Sequence, residues 1–185
     1  MINVIRAIRL SLVLALILGL GYPLLITGVG HLLFPRQAEG SMISDHGRIV
    51  GSTLIAQSVT SPGLFHPRPS AVNYAANGSG GSNLGPTNPA LVKEVESNLK
   101  ATGLRGSQVP PDMVESSGSG LDPDISLANA YAQVPRISKA TGVPEAKLQS
   151  LVQTSAVGRF LGIWGEPYVN VLQLNMAMQS LEKAK

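Results

Sequence analysis

Residues 10–33 read LSLVLALILGLGYPLLITGVGHLL and contain no Lys, Arg, Asp or Glu. An α-helix needs about 20 mostly apolar residues to cross the hydrocarbon core of a bilayer, so these 24 residues are long enough to span it. Arg6 and Arg9 precede the stretch, and the cytoplasmic flanks of spanning helices prefer Lys and Arg. The sequence therefore predicts a cytoplasmic N-terminus at residues 1–9, a transmembrane helix at residues 10–34 and an exported domain at residues 35–185.

A cleaved signal peptide is the alternative interpretation, and it would release an exported soluble binding protein. A signal peptide has a shorter apolar region of about 7–15 residues, followed by a cleavage site between small residues. The best such site is Gly28-Val29-Gly30, but apolar Leu32, Leu33 and Phe34 follow it, and a mature N-terminus has no need of them. We therefore expect an uncleaved anchor.

The composition beyond the anchor is that of one nearly neutral domain. About 150 residues remain, which is enough for a single hydrophobic core. Without Arg6 and Arg9, 12 Lys and Arg stand against 11 acids, which leaves a net charge of +1. Residues 136–152 resemble a helix-turn-helix, but such a weak charge with one Lys on the second helix does not suit nucleic acid. Cysteine is absent, so packing alone must hold this domain together.

The exported part is predicted to be α+β, mostly helical with a small β-sheet. Residues 41–52 have the pattern of a β-hairpin with its turn at Gly47, and Thr53–Gln57 extend the second strand. Cap and stop residues predict four helices and one further strand: Asn88 to Gly103, Ser126 to Ala140, Pro144 onward, a strand at Pro167 to Val171, and a terminal helix with Leu174, Met178 and Leu181 on its apolar face.

Two long segments, residues 58–89 and 116–124, have neither helical nor strand periodicity. A loop as long as the first is usually functional or disordered. Phe65, Tyr74 and Leu84 lie within it, and a flexible linker would not carry such side chains. We therefore expect an ordered loop that is held by its own side chains.

None of the short motifs assembles a catalytic or metal site. The glycine-rich run at residues 78–85 lacks the lysine of a phosphate-binding P-loop, and no strand precedes it. Asp122 and Asp124 are too close in sequence to act on opposite sides of a scissile bond. His31, His46 and His66 have no metal-ligand spacing, and the last two are expected to be solvated. The sequence predicts no enzymatic activity for this chain alone.

Five collinear motifs carry a family resemblance. They are Gly51-Ser52-Thr53-Leu54-Ile55-Ala56-Gln57, Arg68-Pro69-Ser70-Ala71, the run from Ser79 to Pro89, Ser117-Gly118-Ser119-Gly120-Leu121-Asp122-Pro123, and the run from Val169 to Asn175. With them the chain resembles the C subunit of the Kdp potassium-transporting ATPase over essentially its whole length. It departs from that pattern at Ala75, Glu115 and Asp124, where the family commonly has Asn, Thr and His.

The resemblance implies an accessory subunit of an ATP-driven potassium importer in the cell inner membrane, with a periplasmic domain. Its implied partners are a P-type ATPase subunit and a channel-like potassium-binding subunit, besides membrane lipid. Its implied role is to stabilise the assembly and, as a catalytic chaperone, to raise the affinity of the ATPase subunit for ATP. ATP and potassium would act through the complex, with no cofactor bound by this chain directly.

The predicted orientation is at odds with direct contact between this chain and ATP, because ATP is cytoplasmic and the loops lie outside. We therefore expect the two long loops to dock on the outer face of the channel-like subunit. The candidate docking residues are Arg68, Pro69, Ser70, Tyr74, Ser79, Gly80, Gly81, Ser82, Asn83, Leu84, Gly85, Ser117, Ser119, Leu121, Asp122, Asn170 and Asn175.

Overall fold

The N-terminal part of the chain is one long apolar helix. The computed structural model describes residues 2–183, and helix α1 runs over Ile2–Leu33. Its mean hydropathy reaches 2.3, and among the described residues it is the one helix long and apolar enough to cross a membrane. It begins before the predicted segment 10–34 because residues 2–9 contain no Gly or Pro to interrupt it. Residue 1 and residues 184–185, which belong to the predicted segments 1–9 and 35–185, lie outside the described residues.

Proline is accommodated inside α1 by a local change of helix type. A π-helical turn at Ile17–Gly21 comes just before Pro23. A proline has no backbone N–H, and its ring crowds the carbonyl four residues earlier, which here belongs to Gly19. A π-helical turn shifts the hydrogen-bond pattern at this point. The helix therefore continues past Pro23 to Leu33 instead of ending there.

The predicted β-hairpin is confirmed, but its predicted extension is wrong. Helix α2 (Pro35–Ala38) precedes strands β1 (Met42–Asp45) and β2 (Arg48–Ser52), which form a two-stranded sheet. His46 and Gly47 have φ of 48° and 78°, as a tight hairpin turn requires. After β2 the chain bends back: Ser52 Oγ accepts from Leu54 N at 3.1 Å, and Gln57 Nε2 donates to Val50 O at 3.1 Å. These local bonds replace the strand expected at residues 53–57.

The chain divides into two compact units with the boundary between residues 49 and 50. The second unit is built from helices and a second, two-stranded sheet. Its elements are helix α3 (Pro89–Thr102), 3₁₀ turns at Gly106–Gln108 and Pro111–Met113, strand β3 (Asp124–Ser126), helices α4 (Leu127–Thr141) and α5 (Glu145–Ser155), strand β4 (Tyr168–Asn170) and helix α6 (Val171–Lys183). The predicted α+β class is confirmed.

The core of the second unit lies where α4, α5 and α6 pack around the antiparallel pair β3 and β4, in which Ile125 lies opposite Val169. Phe65 reaches this core from the long loop and is completely buried. The other core residues are Ile125, Ala130, Val134, Ile137, Val143, Leu148, Val152, Val169, Val171, Leu174 and Met178. The expectation of an ordered loop held by its own side chains is met at Phe65.

The predicted helix caps are confirmed. Asn88 Oδ1 accepts from Ala90 N at 2.9 Å, with Pro89 in the first turn of α3. Ser126 Oγ accepts from Asn129 N at 3.0 Å at the start of α4. Asp112 supports this cap, because its carboxylate accepts from the Ser126 backbone N at 2.8 Å and from the Ser126 hydroxyl at 3.0 Å. Local side-chain chemistry thus fixes where both helices begin.

Candidate docking surface

The two long loops are joined to each other by hydrogen bonds. Ser70 Oγ donates to Gly120 O at 2.6 Å, and Ser79 Oγ donates to Ser119 O at 3.0 Å. Two further bonds are formed by backbone amides: Gly80 N donates to Ser119 O at 2.8 Å, and Ser117 N donates to Pro69 O at 3.0 Å. We call residues 68–85 and 116–122 the paired loops, because these four bonds make them one structure.

Glycine lets the paired loops approach this closely. Gly120 has φ of 67°, and a Cβ there would lie 2.5 Å from Val72 Cγ2 and 2.6 Å from Gly80 O. A Cβ at Gly81 would lie 2.9 Å from Gly118 O. Gly118 itself faces open space, so a side chain could be added there without a collision. The contact therefore depends on Gly81 and Gly120 and not on Gly118.

Ser70 and Tyr74 shape the first of the paired loops from within. Ser70 Oγ accepts from Tyr74 N at 2.9 Å, and the Tyr74 hydroxyl donates to Arg68 O at 2.9 Å. Burial raises the pKa of the Tyr74 hydroxyl, so it stays protonated as a donor at neutral pH. Asn73 and Tyr74 both have positive φ, which the side-chain bonds around them support. This part of the loop is held in one conformation by its own contacts.

An ion pair closes one end of the paired loops. Arg68 Nη1 lies 3.3 Å from Asp122 Oδ2, and both side chains are about a quarter to a third exposed (26% and 32%). Asp122 Oδ1 also accepts from Asp124 N at 3.1 Å, which fixes the carboxylate against its own backbone. The Arg68–Asp122 pair therefore presents an oriented guanidinium and carboxylate at a partly exposed position.

A cleft of about 680 Å³ lies beside this ion pair. Arg68 and Asp122 contribute to its wall, together with the apolar residues Val109, Pro110 and Pro111. A concave surface with apolar walls and a few oriented charges is a common form of binding site. The cleft extends the paired loops into a surface that another molecule can enter.

The predicted docking residues fall into a surface set and a supporting set. Ser79, Asn83, Gly85 and Ser119 are exposed, and the other glycines, serines and Leu84 on the loop rims are half-buried. The supporting set is buried and consists of Ser117, Leu121 and Asn175. The sequence motifs contain both sets, because a motif does not distinguish the exposed residues of a loop from the buried residues that anchor it.

Asn170 and Asn175 lie on the β4–α6 segment and tie more distant parts of the chain to it. Asn175 Oδ1 accepts from Phe65 N at 2.7 Å, and its Nδ2 donates to Phe65 O at 2.8 Å. Asn170 Nδ2 donates to Thr53 O and to Asp124 Oδ1, both at 2.9 Å. Burial raises the pKa of Asp124, the Asn170 bond opposes the rise, and the nearby Asp122 charge adds to it. Asn175 therefore holds the first long loop in place, and Asn170 holds the segment after β2 and the start of β3.

Comparison with known proteins gives the family. A family model described as "K+-transporting ATPase, c chain", KdpC, matches residues 4–180. The chain belongs to the KdpC family. A relative from Caldanaerobacter subterraneus subsp. tengcongensis is 49% identical over 185 residues, covering 97% of this chain and 95% of the relative. A second, from Gemmatimonas aurantiaca, is 50% identical over 182 residues, covering 95% and 91%.

A third relative, from Synechocystis, is 44% identical over 186 residues and covers 96% of this chain and 98% of its own. All three are named potassium-transporting ATPase KdpC subunit. This KdpC chain is therefore an accessory subunit of a potassium-transporting ATPase complex. Its apolar α1 helix and its family together indicate a membrane protein.

One polar network of this KdpC chain was not predicted from sequence. Gln133 Oε1 accepts from His66 N at 2.8 Å and from Arg136 Nη2 at 2.6 Å, and Gln133 Nε2 donates to Asn129 Oδ1 at 2.8 Å. Arg136 also donates to Pro62 O at 2.6 Å. Asn129, Gln133 and Arg136 have the i, i+4, i+7 spacing of one helix face, which was the available signal.

His66 differs from its prediction as a solvated side chain. It is half-buried, and burial lowers the pKa of its imidazole. The hydrogen bond between its Nε2 and Ser61 O, at 2.9 Å, opposes this change, and the positive charge of Arg136 adds to it. His46 is exposed, as predicted. His66 therefore belongs to the network that fastens the first long loop to α4.

The chemistry available on this surface is that of recognition. Among the described residues, no group of three or more His, Cys, Asp or Glu side chains is placed to hold a metal ion. Three serine hydroxyls of the paired loops are engaged with the backbone: Ser70 and Ser79 donate to carbonyls, and Ser119 Oγ accepts from Leu121 N at 3.1 Å. What the surface offers is a fixed shape with hydrogen-bonding groups and one ion pair.

Proposed function

We propose that this KdpC chain is a non-catalytic, single-pass subunit that stabilises its ATPase complex by docking the paired loops on the outer face of the channel-like subunit. The observation that carries the proposal is the set of inter-loop bonds at Ser70, Ser79, Gly80 and Ser117. Loops that are already ordered lose little conformational entropy on binding, so more of their contact energy remains as affinity. Such order suits a constitutive subunit contact.

The proposed orientation rests on the charges that flank α1. Arg6 and Arg9 lie on its N-terminal side, and Lys and Arg accumulate on the cytoplasmic side of spanning helices. The N-terminus is then inside, the paired loops are periplasmic, and the protein is held in the inner membrane with α1 in contact with lipid. Cytoplasmic ATP does not reach the paired loops in this orientation.

An influence on ATP affinity then has to travel through the assembly. In this proposal the ATPase subunit binds the nucleotide and the channel-like subunit binds potassium. The KdpC chain raises the ATP affinity of the ATPase subunit by stabilising one arrangement of the complex, through α1 or through the docked loops. A subunit shifts an equilibrium only by binding one arrangement more tightly than the other.

The test replaces Ser79–Ser82 by four alanines in an affinity-tagged chain. The change removes the Ser79–Ser119 bond and adds a Cβ at Gly81 against Gly118 O. We expect the variant to retain much less of both partner subunits in a detergent pull-down, while ATP binding by the isolated ATPase subunit stays as before. Gly118→Ala is the matched control, because it changes the same surface without a collision.

Unchanged recovery of the partner subunits by the alanine variant would contradict the docking proposal. Membrane fractionation is done on the same cells, since a cleaved signal peptide would leave a soluble exported binding protein in place of an anchored subunit. Recovery of the chain in the soluble fraction would favour that alternative.

A further inference from the structure

Residues 160–164 form an exposed apolar hairpin tip with the sequence FLGIW. Phe160, Leu161, Ile163 and Trp164 are 71%, 72%, 68% and 60% exposed, respectively. Isolated apolar side chains on a surface are ordinary, but four in five consecutive residues at one tip form a patch. The tip lies outside the paired loops, so the docking proposal gives it no role.

We propose that this tip, residues 160–164, inserts into the lipid–water interface of the membrane that α1 crosses. Trp is enriched at that interface because its large ring is apolar while its indole N–H can still find a polar partner. Phe, Leu and Ile supply apolar area for the acyl-chain boundary. Apart from the indole N–H of Trp164, the tip has no polar side-chain group.

The backbone of the tip is suited to a low-water environment. Phe160 N donates to Trp164 O at 2.8 Å, and Trp164 N donates to Phe160 O at 3.0 Å. Gly162 N and Ile163 N donate to Arg159 O and Phe160 O at 3.0 and 3.1 Å. A peptide group that enters lipid must have its hydrogen bonds satisfied within the protein. Four of the five backbone N–H groups at the tip meet this condition, as do the carbonyls of Phe160 and Trp164.

A pair of charges marks the boundary of the apolar tip. Arg159 Nη2 lies 2.9 and 3.0 Å from the two carboxylate oxygens of Glu166, and both side chains are exposed. These residues flank the tip in sequence, Arg159 directly before Phe160 and Glu166 two residues after Trp164. The pair would remain among headgroups and water while the four apolar side chains enter the interface.

The tip is also built to project its side chains. Leu161 has φ of 52°, a conformation that branched and bulky residues adopt rarely, and Gly162 and Gly165 have φ of 75° and 84°. The resulting tight turn leaves Leu161 the most exposed of the four apolar residues. A strained backbone that exposes a leucine to water does not stabilise the fold. Contact of that leucine with a ligand, here lipid, gives the conformation a role.

The covalent connection to α1 keeps the tip near a bilayer. Sixteen residues, 34–49, lie between Leu33 and Val50, where the second unit begins, and even fully extended, at about 3.5 Å per residue, they would reach no more than about 60 Å. A tether of this length gives the tip a high effective concentration at the surface, so weak insertion is enough for occupancy. The tether has the same length whichever side of the membrane carries the second unit.

Trp164 is the only tryptophan of the chain, which makes it a direct probe. The full-length chain is reconstituted into vesicles of phosphatidylcholine and phosphatidylglycerol, with and without bromine atoms on the acyl chains near the headgroups. We expect Trp164 emission at shorter wavelength than in an aqueous environment, quenching by the brominated lipids and protection from aqueous iodide. The double variant Leu161→Asn with Ile163→Asn, which keeps Trp164, should lose all three effects.

Leu54→Asn is the matched control, because Leu54 is 60% exposed and lies outside the tip. It should leave the fluorescence as it is in the unmodified chain. Emission typical of water, without lipid quenching, would overturn the proposal. Protection from iodide that appears only after the partner subunits are added would also overturn it and would assign the tip to a protein contact.

Discussion

Asn175 shows how a single buried side chain positions a long loop. Its side-chain oxygen accepts from the backbone N–H of Phe65, and its side-chain NH₂ donates to the backbone carbonyl of Phe65. Both residues are buried. The two residues are 110 positions apart in sequence. The bond pair therefore fastens the first long loop to α6 directly beneath the core contact of Phe65.

Asn175→Ala should destabilise the protein strongly. It leaves the Phe65 N–H and carbonyl buried without partners, at a cost of about 1–3 kcal/mol for each group. We expect a free energy of unfolding lower by about 2–6 kcal/mol than that of the unmodified protein. Thermal or urea unfolding of the full chain in detergent, followed by circular dichroism, measures this.

Asn77→Ala is the control for that measurement, since Asn77 is exposed on the same loop. Equal unfolding midpoints for Asn175→Ala and Asn77→Ala would mean that the Asn175 side chain does not stabilise the attachment of the loop.

Local residue roles were predictable from sequence, whereas distant ones were not. Asn88 and Ser126 cap helices by bonds to residues two or three positions away, so a short motif is sufficient. Asn175 and Gln133 act on residues 110 and 67 positions away, and no spacing rule contains that information. Resemblance to the family drew attention to Asn175 without giving its partner.

At the scale of elements, the paired loops behave as one unit because their backbones nearly touch. Ser79 and Gly80 of the first loop both donate to Ser119 O of the second loop, and Ser70 of the first loop donates to Gly120 O of the second. Loops that cross-link in this way protect each other's backbone from local opening.

Gly120→Ala should separate the paired loops. The left-handed conformation costs a residue with a Cβ about 1–2 kcal/mol, and the new atom would also collide with Val72 and Gly80. We expect faster cleavage within residues 68–85 in limited proteolysis of the full chain in detergent. Gly118→Ala, which meets nothing within 4 Å, should be cleaved at the original rate. The same rate for both variants would show that the glycine contact is not needed.

Element prediction failed where local pattern and tertiary environment disagree. Residues 53–57 continue the strand pattern of β2, but bonds from Ser52 Oγ and Gln57 Nε2 turn the chain back. No element was predicted for residues 160–164, a short apolar run of the kind that buried strands also have, and they are exposed. Periodicity cannot show which apolar segment finds a partner in the core.

For the whole molecule, sequence patterns predicted both the apolar helix and the fold class. A run of 24 residues without Lys, Arg, Asp or Glu indicated an anchor, and the hairpin pattern with the helix cap and stop residues indicated an α+β domain. The proposed side of the membrane for that domain rests on Arg6 and Arg9 alone. The proposed function therefore depends most on whether the paired loops lie outside the cytoplasm and are covered by a partner.

Thiol labelling in spheroplasts tests that claim most directly, because the chain has no cysteine of its own. Ser79→Cys places a thiol on the paired loops, and Lys147→Cys places one on the exposed side of α5 as a reporter of sidedness. A membrane-impermeant reagent is applied to cells with and without the partner subunits, and denatured samples give full labelling as a reference.

We expect the thiol at position 147 to be labelled in every case. The thiol at position 79 should be labelled when the chain is expressed alone and protected when the partner subunits are present. Labelling of both thiols only after the membrane is lysed would place the domain in the cytoplasm and contradict the orientation. Equal labelling at position 79 with and without the partners would contradict docking through the paired loops.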